Sequence, residues 1–347
     1  MKAIGSTASI SSVASAGQAS DAQGAPKVRF GLDLFSLRSQ GWTPFQMLDW
    51  CGQRDIKLVH FSEIRFLGGL EPDNLKRIRA HALQLGIELE IGMRSICPTS
   101  TMFDKTAGTA EEQLGRMAQA AHIIGSPIVR CVLGSAEDRR GPGGIESHIE
   151  DTVKVLHNSR SRVLESGVKV AIENHAGDMQ ARELKRLVEE AGPDFVGVCL
   201  DSGNPLWTIE NPHLTLETLA PYVLTSHVRD SAVWRTERGA AVSWTRMGEG
   251  NVDIEGYIRD FLHKCPGRPL SLEVIVTGPR LFNYLDTSFW EPYKKTPAWE
   301  FAQFLSLADK GSPRPAPAQL PKDQAAAREL QDVEASVRWT QAFLSKL

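Results

Sequence analysis

"KVAIENHAGD", residues 169–178, starts as a β-rich apolar run and breaks off into Glu173, Asn174 and His175 before the small, flexible pair Ala176–Gly177. A carboxylate and an imidazole two positions apart at a strand end suit metal ligation, acid–base work or an ordinary polar cap, and these ten residues leave all three open. Their repetition along the chain decides the fold. Seven further runs of the same kind occur: VRFGLDLF from 28, KLVHFSE from 57, IELEIGM from 87, PIVRCVLG from 127, FVGVCLD from 195, VLTSHVRD from 223 and PLSLEVIV from 269. Between them lie helical patterns such as "EPDNLKRIRAHALQLG" and "IEDTVKVLHNSRSRVLESG", apolar at i, i+3 and i+4 and closed by a glycine where a C-cap belongs. Strand runs alternating with helices point to a parallel α/β sheet, and eight such units over about 280 residues have the size of a single (β/α)8 TIM barrel. A doubly wound open sheet is the main rival, but no GxGxxG follows the first run.

The flanks differ from the repeat. Residues 1–26 are rich in Ser, Ala and Gly without a continuous apolar segment, and read as a disordered leader; "ASAGQA" leaves export open. The barrel is expected over 27–311, closed by "PAWEFAQFLSLADKG"; 312–321, "SPRPAPAQLP", reads as a proline-rich linker, and 322–347 as an appended C-terminal helix packed on the barrel or on another subunit.

With 347 residues, 41% hydrophobic and 23% charged, the chain can bury a large core. A net charge of -3 offers no electrostatic footprint for nucleic acid or an anionic membrane surface. No run approaches the roughly 18 apolar residues of a membrane span. The five cysteines are odd in number, widely spaced and without a CxxC, which suits reduced core thiols in a cytoplasmic protein and excludes a thiolate zinc site.

In a barrel the C-terminal strand ends converge on one face, where active sites are built. Glu173, Asp201 in "CLDSGN", His227 in "TSHVRD" and Glu273 in "SLEVIV" end four consecutive strands. Three carboxylates and an imidazole form a hard donor set suited to one divalent ion, Mn²⁺ first, with Mg²⁺, Co²⁺ or Zn²⁺ as alternatives. Carboxylates crowded into one volume also call for a compensating cation. Glu63 and Arg130 are further interior candidates on strands two and four, whereas His60, three residues before Glu63, falls on the opposite strand face and reads as core or helix-facing. Arg229 could meet a substrate oxygen, Asn204 follows Asp201 by three, Glu249 lies in the glycine-flanked "MGEG", and Trp207, Trp234, Trp244, Trp290 and Tyr293 are expected in loops where flat rings suit a sugar or an aryl aglycone.

The ordered set "ENHAGD", "LDSGNP", "SHVRD", "MGEGNVD" and "LEVIVTG" resembles the sugar phosphate isomerase/epimerase family of xylose-isomerase-like TIM barrels, over roughly 28–310. The resemblance implies that Glu173, Asp201, His227 and Glu273 bind one divalent ion, and that Glu173 and Glu273 take and return a proton beside a sugar carbonyl, giving isomerisation or epimerisation. It also extends to 3-oxo-glycoside lyases and C-glycoside-cleaving enzymes, whose Glu-x-His at this strand would make His175 the acid/base that expels a leaving group. The endonuclease IV branch fits less well: Asn204 stands where that branch places a ligand histidine, and "HVRD" lacks its Asp-x-His. A non-catalytic sugar-binding subunit is a remoter expectation. A small sugar or glycoside is the expected partner, in a homo-oligomer or a complex with a second small subunit.

Overall fold

The computed structural model describes Met1, residues 28–141 and residues 143–347, so the reading of 1–26 as a disordered leader lies outside the described residues. The eight apolar runs become β1 (Phe30–Asp33), β2 (Leu58–Phe61), β3 (Glu88–Ser95), β4 (Ile128–Val132), β5 (Lys169–Glu173), β6 (Val196–Asp201), β7 (Val223–His227) and, after a hairpin of β8 (Asp230–Thr236) and β9 (Gly239–Thr245), β10 (Leu270–Leu272). A last short strand, β11, spans Arg280–Phe282. The barrel strands are all parallel, in the order β10-β1-β2-β3-β4-β5-β6-β7. Val228 completes the ring, donating to the Ser271 carbonyl at 2.7 Å and accepting from the Glu273 N–H at 3.1 Å.

The helices are α1 (Pro44–Gly52), α2 (Ile64–Leu67), α3 (Pro72–Leu85), α4 (Ala110–Ile124), α5 (Gly144–Glu165), α6 (Ala181–Ala191), α7 (Pro212–Leu219), α8 (Ile254–Lys264), α9 (Ala298–Ala308) and α10 (Lys322–Leu344). Several start where local chemistry dictates: Thr43 with Gln46 and Thr109 with Glu112 form reciprocal capping boxes at α1 and α4, satisfying N–H groups the first turn would leave unpaired. Alternation sorts each strand. In β5, Val170 and Ile172 face the helices in the main core, while Ala171 joins Ile128 and Cys199 inside the ring.

Two features depart from the sequence reading. The tryptophan-bearing segments after strand seven are a hairpin, which with β11 forms a three-stranded antiparallel sheet, β11-β9-β8. This sheet has its own core, in which Val233, Val242, Phe282 and Tyr284 meet Tyr293 and the α9 residues Phe304 and Leu307. The expected closing helix, α9, therefore covers the hairpin. The appended C-terminal helix expected over 322–347 is α10, and it packs on the barrel: its Val333, Val337 and Phe343 lie in the main core. Its flanks are tied to Ser39 and Gln40 through Glu329, to Arg54 through Glu334, and to α8, where Arg259 lies over Phe343. Residues 311–321, between α9 and α10, have no regular secondary structure. All five cysteines are free and buried, and among the described residues no helix is long and apolar enough to cross a membrane.

Candidate active site

Glu173, Asp201, His227 and Glu273 converge at the C-terminal mouth, each offering one ligand atom, all within 4.8 Å of one another and all buried. Strand register places them: Glu173 pairs with Cys199, two residues before Asp201 on the same face, and Asp201 pairs with His227. Asn174, on the opposite face from Glu173, fixes the spacing, donating from Nδ2 to the Asp201 carbonyl (2.9 Å) and accepting the Asp201 N–H at Oδ1 (2.8 Å). Asp201 Oδ1 accepts from the N–H groups of Gly203 (2.7 Å) and Asn204 (2.6 Å), leaving Oδ2 to turn inward.

Two arginines share the job of neutralising the acids. Arg130 Nε donates to Glu173 Oε2 at 2.5 Å, and Asn204 Nδ2 donates to Glu173 Oε1 at 3.1 Å. Burial would raise the Glu173 carboxyl, but Arg130 and His227 outweigh it and hold the group well below the ordinary range. Arg229 bridges the other pair, bonding Asp201 Oδ2 at 2.6 Å and also Glu273. Burial nevertheless leaves Asp201 raised. Crowded acids therefore do not by themselves demand an ion here. The fit to a cation rests on His227, whose buried Nδ1 has no hydrogen-bond partner and faces Glu173 Oε2 at 3.1 Å and Glu273 Oε2 at 3.5 Å. Burial would lower the His227 pKa, but Cys199, Glu173 and Asp33 outweigh it and raise it well above the ordinary imidazole value, so without a cation the ring is protonated. A cation that displaces this proton would meet one imidazole nitrogen and three carboxylates, a donor set for one divalent ion.

The other ring nitrogen of His227 is held by His60, Nε2 to Nδ1 at 2.9 Å. His60 is thus inside the barrel, not in the core behind it. The parity reasoning placed it correctly opposite Glu63 but assigned the faces the wrong way round. The strand ends at Phe61, Ser62 turns inward to Asp33 (2.9 Å), and Glu63 faces outward, paired with Arg65 at the start of α2. Asp33 and Glu90 are interior groups that sequence reasoning did not single out; "FGLDLF" and "IELEIGM" carry them as isolated charges in apolar runs, the signal that marked Glu173.

Glu90 makes a measurable consequence of this burial. Its carboxyl is pushed up to about 7 by burial, against a hydrogen bond from Thr225 Oγ1 at 2.7 Å. Because the folded value is raised, the contribution to stability is complete below the unfolded value of 4.5 and is lost as pH rises through about 7. Glu90→Gln should remove a pH-dependent term on the order of 3 kcal/mol, at ~1.4 kcal/mol per pH unit. Melting curves at pH 5 and pH 8 should show the variant gaining on the parent at the higher pH; an unchanged difference would count against a neutral Glu90.

His175 is half-buried beside Glu173. Its Nδ1 lies 2.8 Å from the Gly134 carbonyl, an acceptor, so that nitrogen carries the hydrogen and Nε2 keeps its lone pair. Burial, only partly offset by Glu173, lowers its pKa, so the ring is neutral near pH 7. Trp244 has both faces covered, by Arg229 at 4.3 Å and by Trp207, stacked at 4.2 Å, so only its edge borders open space. That space is a cavity of about 790 Å³ between Trp244, Val274 and the 312–321 linker, with exposed Glu249 on its rim. The "MGEG" amides are not free for a ligand: Gly248 and Gly250 donate to Asp230 Oδ2 at 3.0 and 2.8 Å.

A profile of the xylose isomerase-like TIM barrel family matches residues 30–290. The chain belongs to that family. The 3-oxo-isoapionate decarboxylase of Pectobacterium atrosepticum is 23% identical over 211 residues, 60% of this chain and 69% of that protein. Among solved structures, D-psicose 3-epimerase from Clostridium cellulolyticum superposes with a TM-score of 0.61 at 12% identity, covering 91% of this chain and 99% of the other. The 3-keto-D-glucoside 4-epimerase of E. coli gives 0.56 at 11% identity, covering 81% and 98%. Both structures share the fold.

Proposed function

We propose that this family member is a divalent-metal-dependent sugar isomerase or epimerase that abstracts a proton beside a sugar carbonyl. The reading is carried by one observation: the unpartnered Nδ1 of His227 set among Glu173, Asp201 and Glu273 at the barrel mouth. Glu173, Asp201, His227 and Glu273 would hold the ion, Mn²⁺ in our reading, which when bound supplies electrophilic polarisation of the carbonyl and so lowers the pKa of the adjacent C–H. The rest falls to the chain's own groups. Glu273, with Oε1 free of hydrogen bonds among the described residues, is placed to take the proton and can hand the same proton to the neighbouring carbon, giving isomerisation. Epimerisation needs a proton from the opposite face, which Glu173 would first have to draw from solvent. Arg130, Asn204 and Arg229 fix the carboxylates in place. The named activities of the similar proteins support this reading, since a 3-epimerase of a ketose, a 4-epimerase of a 3-keto sugar and a 3-oxo acid decarboxylase all develop negative charge next to a carbonyl.

A second reading, β-elimination from a 3-oxo-glycoside, is favoured by His175, whose neutral Nε2 is available beside Glu173 to serve a leaving group. Incubation with Mn²⁺ in deuterated water separates the two: deuterium exchange into ketoses without aglycone release supports the first, and aglycone release from 3-oxo-glycosides supports the second. Neither, with the ion bound, would sink both.

The ion also gives His60 a measurable role. Without it the Nε2–H of His227 loses its partner and the ring its fixed orientation. His60→Leu should weaken Mn²⁺ binding by about 10–100-fold, the usual cost of removing a partner behind a ligand histidine. Calorimetric titration checks this, and unchanged affinity in a folded variant would refute it.

A further inference from the structure

Beside the mouth, between the 136–140 loop, Trp207 and the 280–293 segment, lies a second cavity of about 270 Å³. Three arginines line it, two adjacent in sequence and the third 140 positions away, which is why no basic cluster is visible in the chain itself. Arg139 is engaged through both terminal nitrogens, with Glu183 at 2.6 and 3.1 Å and with the carbonyls of Asp178 and Pro292, while its buried Nε has no partner. Arg140 and Arg280 are not: neither side chain has an ion pair or hydrogen bond among the described residues. The one acid in the lining, Asp286, is bound by Arg238. The Arg280 guanidinium lies over Trp207, 4.2 Å from the ring centre. Trp207 stacks on Trp244, and Trp244 on Arg229, which bonds Asp201 and Glu273. This continuous pile runs from the second cavity to the carboxylate cluster. On its other side Ala136 follows Gly134, the anchor of His175, by two residues.

We propose that this cleft binds the anionic group, a carboxylate or a phosphate monoester, of the substrate whose carbonyl end lies at Glu173 and Glu273; the inference rests on the sugar-enzyme reading above. Two like charges held together without a counterion favour an incoming anion, and guanidinium groups offer paired N–H donors that match carboxylate and phosphate oxygens. Burial, with Arg140 acting in the same direction, lowers the Arg280 pKa against Tyr293 and Glu137, as expected for a cation lacking a close partner. The cavity is smaller than the roughly 300–1,000 Å³ of a whole-ligand site, so it suits a head group and not a complete glycoside.

The test titrates the full-length protein with D-glucose, D-glucuronate, glucose 6-phosphate and inorganic phosphate, read by tryptophan fluorescence and calorimetry, with Mn²⁺ titrated separately. The anionic probes should bind at least tenfold more tightly than glucose. Arg140→Gln/Arg280→Gln should abolish that preference while Mn²⁺ affinity and melting temperature stay unchanged, and Arg268→Gln, an exposed arginine outside the lining, should leave the preference intact. Tighter binding of glucose 6-phosphate than of glucuronate identifies a phosphate site, and the reverse a carboxylate site. Equal binding of neutral and anionic probes, or a preference that survives the double variant, overturns the inference. Failure of Mn²⁺ to bind the parent protein overturns the sugar-enzyme reading instead.

Discussion

Glu273→Gln should cut deuterium exchange at the substrate carbon by about 10²–10⁴-fold, the usual worth of a positioned general base, while weakening Mn²⁺ binding much less. Glu173→Gln should do the reverse in emphasis. Its two oxygens are engaged by Arg130 and Asn204, and the group is held well below the ordinary carboxylate range, which makes it a firm anionic ligand and a weak base. Removing its charge also leaves Arg130 buried without its counterion, a loss of about 3–5 kcal/mol for a broken buried pair. The expected split is therefore an exchange defect that exceeds the loss of ion affinity for Glu273→Gln, and a loss of ion affinity with a lower melting temperature that exceeds the exchange defect for Glu173→Gln. Exchange rates by mass spectrometry, calorimetric titration and thermal melts on the two variants decide it. Identical profiles would mean that the two acids are interchangeable and that the asymmetry of their partners has no functional weight.

Much of this site was legible because a parallel barrel imposes a simple rule: a charged residue at the end of an apolar run stands at the mouth. The rule finds Glu173, Asp201, His227 and Glu273, and alternation along β5 correctly sends Asn174 away from Glu173. It fails where parity must be anchored to one residue. His60 and Glu63 were separated correctly, but the choice of which faced inward needed the strand end at Phe61, and a helix that starts directly at Ile64 hides that boundary. The β8–β9 hairpin escaped for a related reason. Its strands alternate, but the connecting pair Glu237–Arg238 lacks the Asn-Gly or Asp-Gly signature of a two-residue turn. The arginine cleft and the Arg229–Trp244–Trp207–Arg280 pile join residues distant in sequence, so no local pattern announces them.

Removing the C-terminal helix should have the largest effect on stability. Truncation after Gly311 deletes α10 and with it the buried Val333, Val337 and Phe343, each worth about 1.5–3 kcal/mol of burial, and it uncovers the main core against which they pack. It also leaves Arg54 without Glu334 and Arg246 without Asp332. Against a typical net stability of about 5–15 kcal/mol, such a loss should abolish the cooperative melt or leave the truncated chain insoluble. Val337→Asp should act in the same direction by placing an unpaired charge in that core. A protease site inserted into the exposed 312–321 linker provides the converse: after cleavage the helix should remain bound and the fragments should elute together, because the linker carries few of the contacts that hold α10. If α10 is instead an appendage to a barrel already closed by α9, the truncated chain will melt cooperatively at the parent temperature and the cleaved helix will separate. The packing of Phe304 and Leu307 of α9 against the hairpin core, away from the ring, argues for the first result.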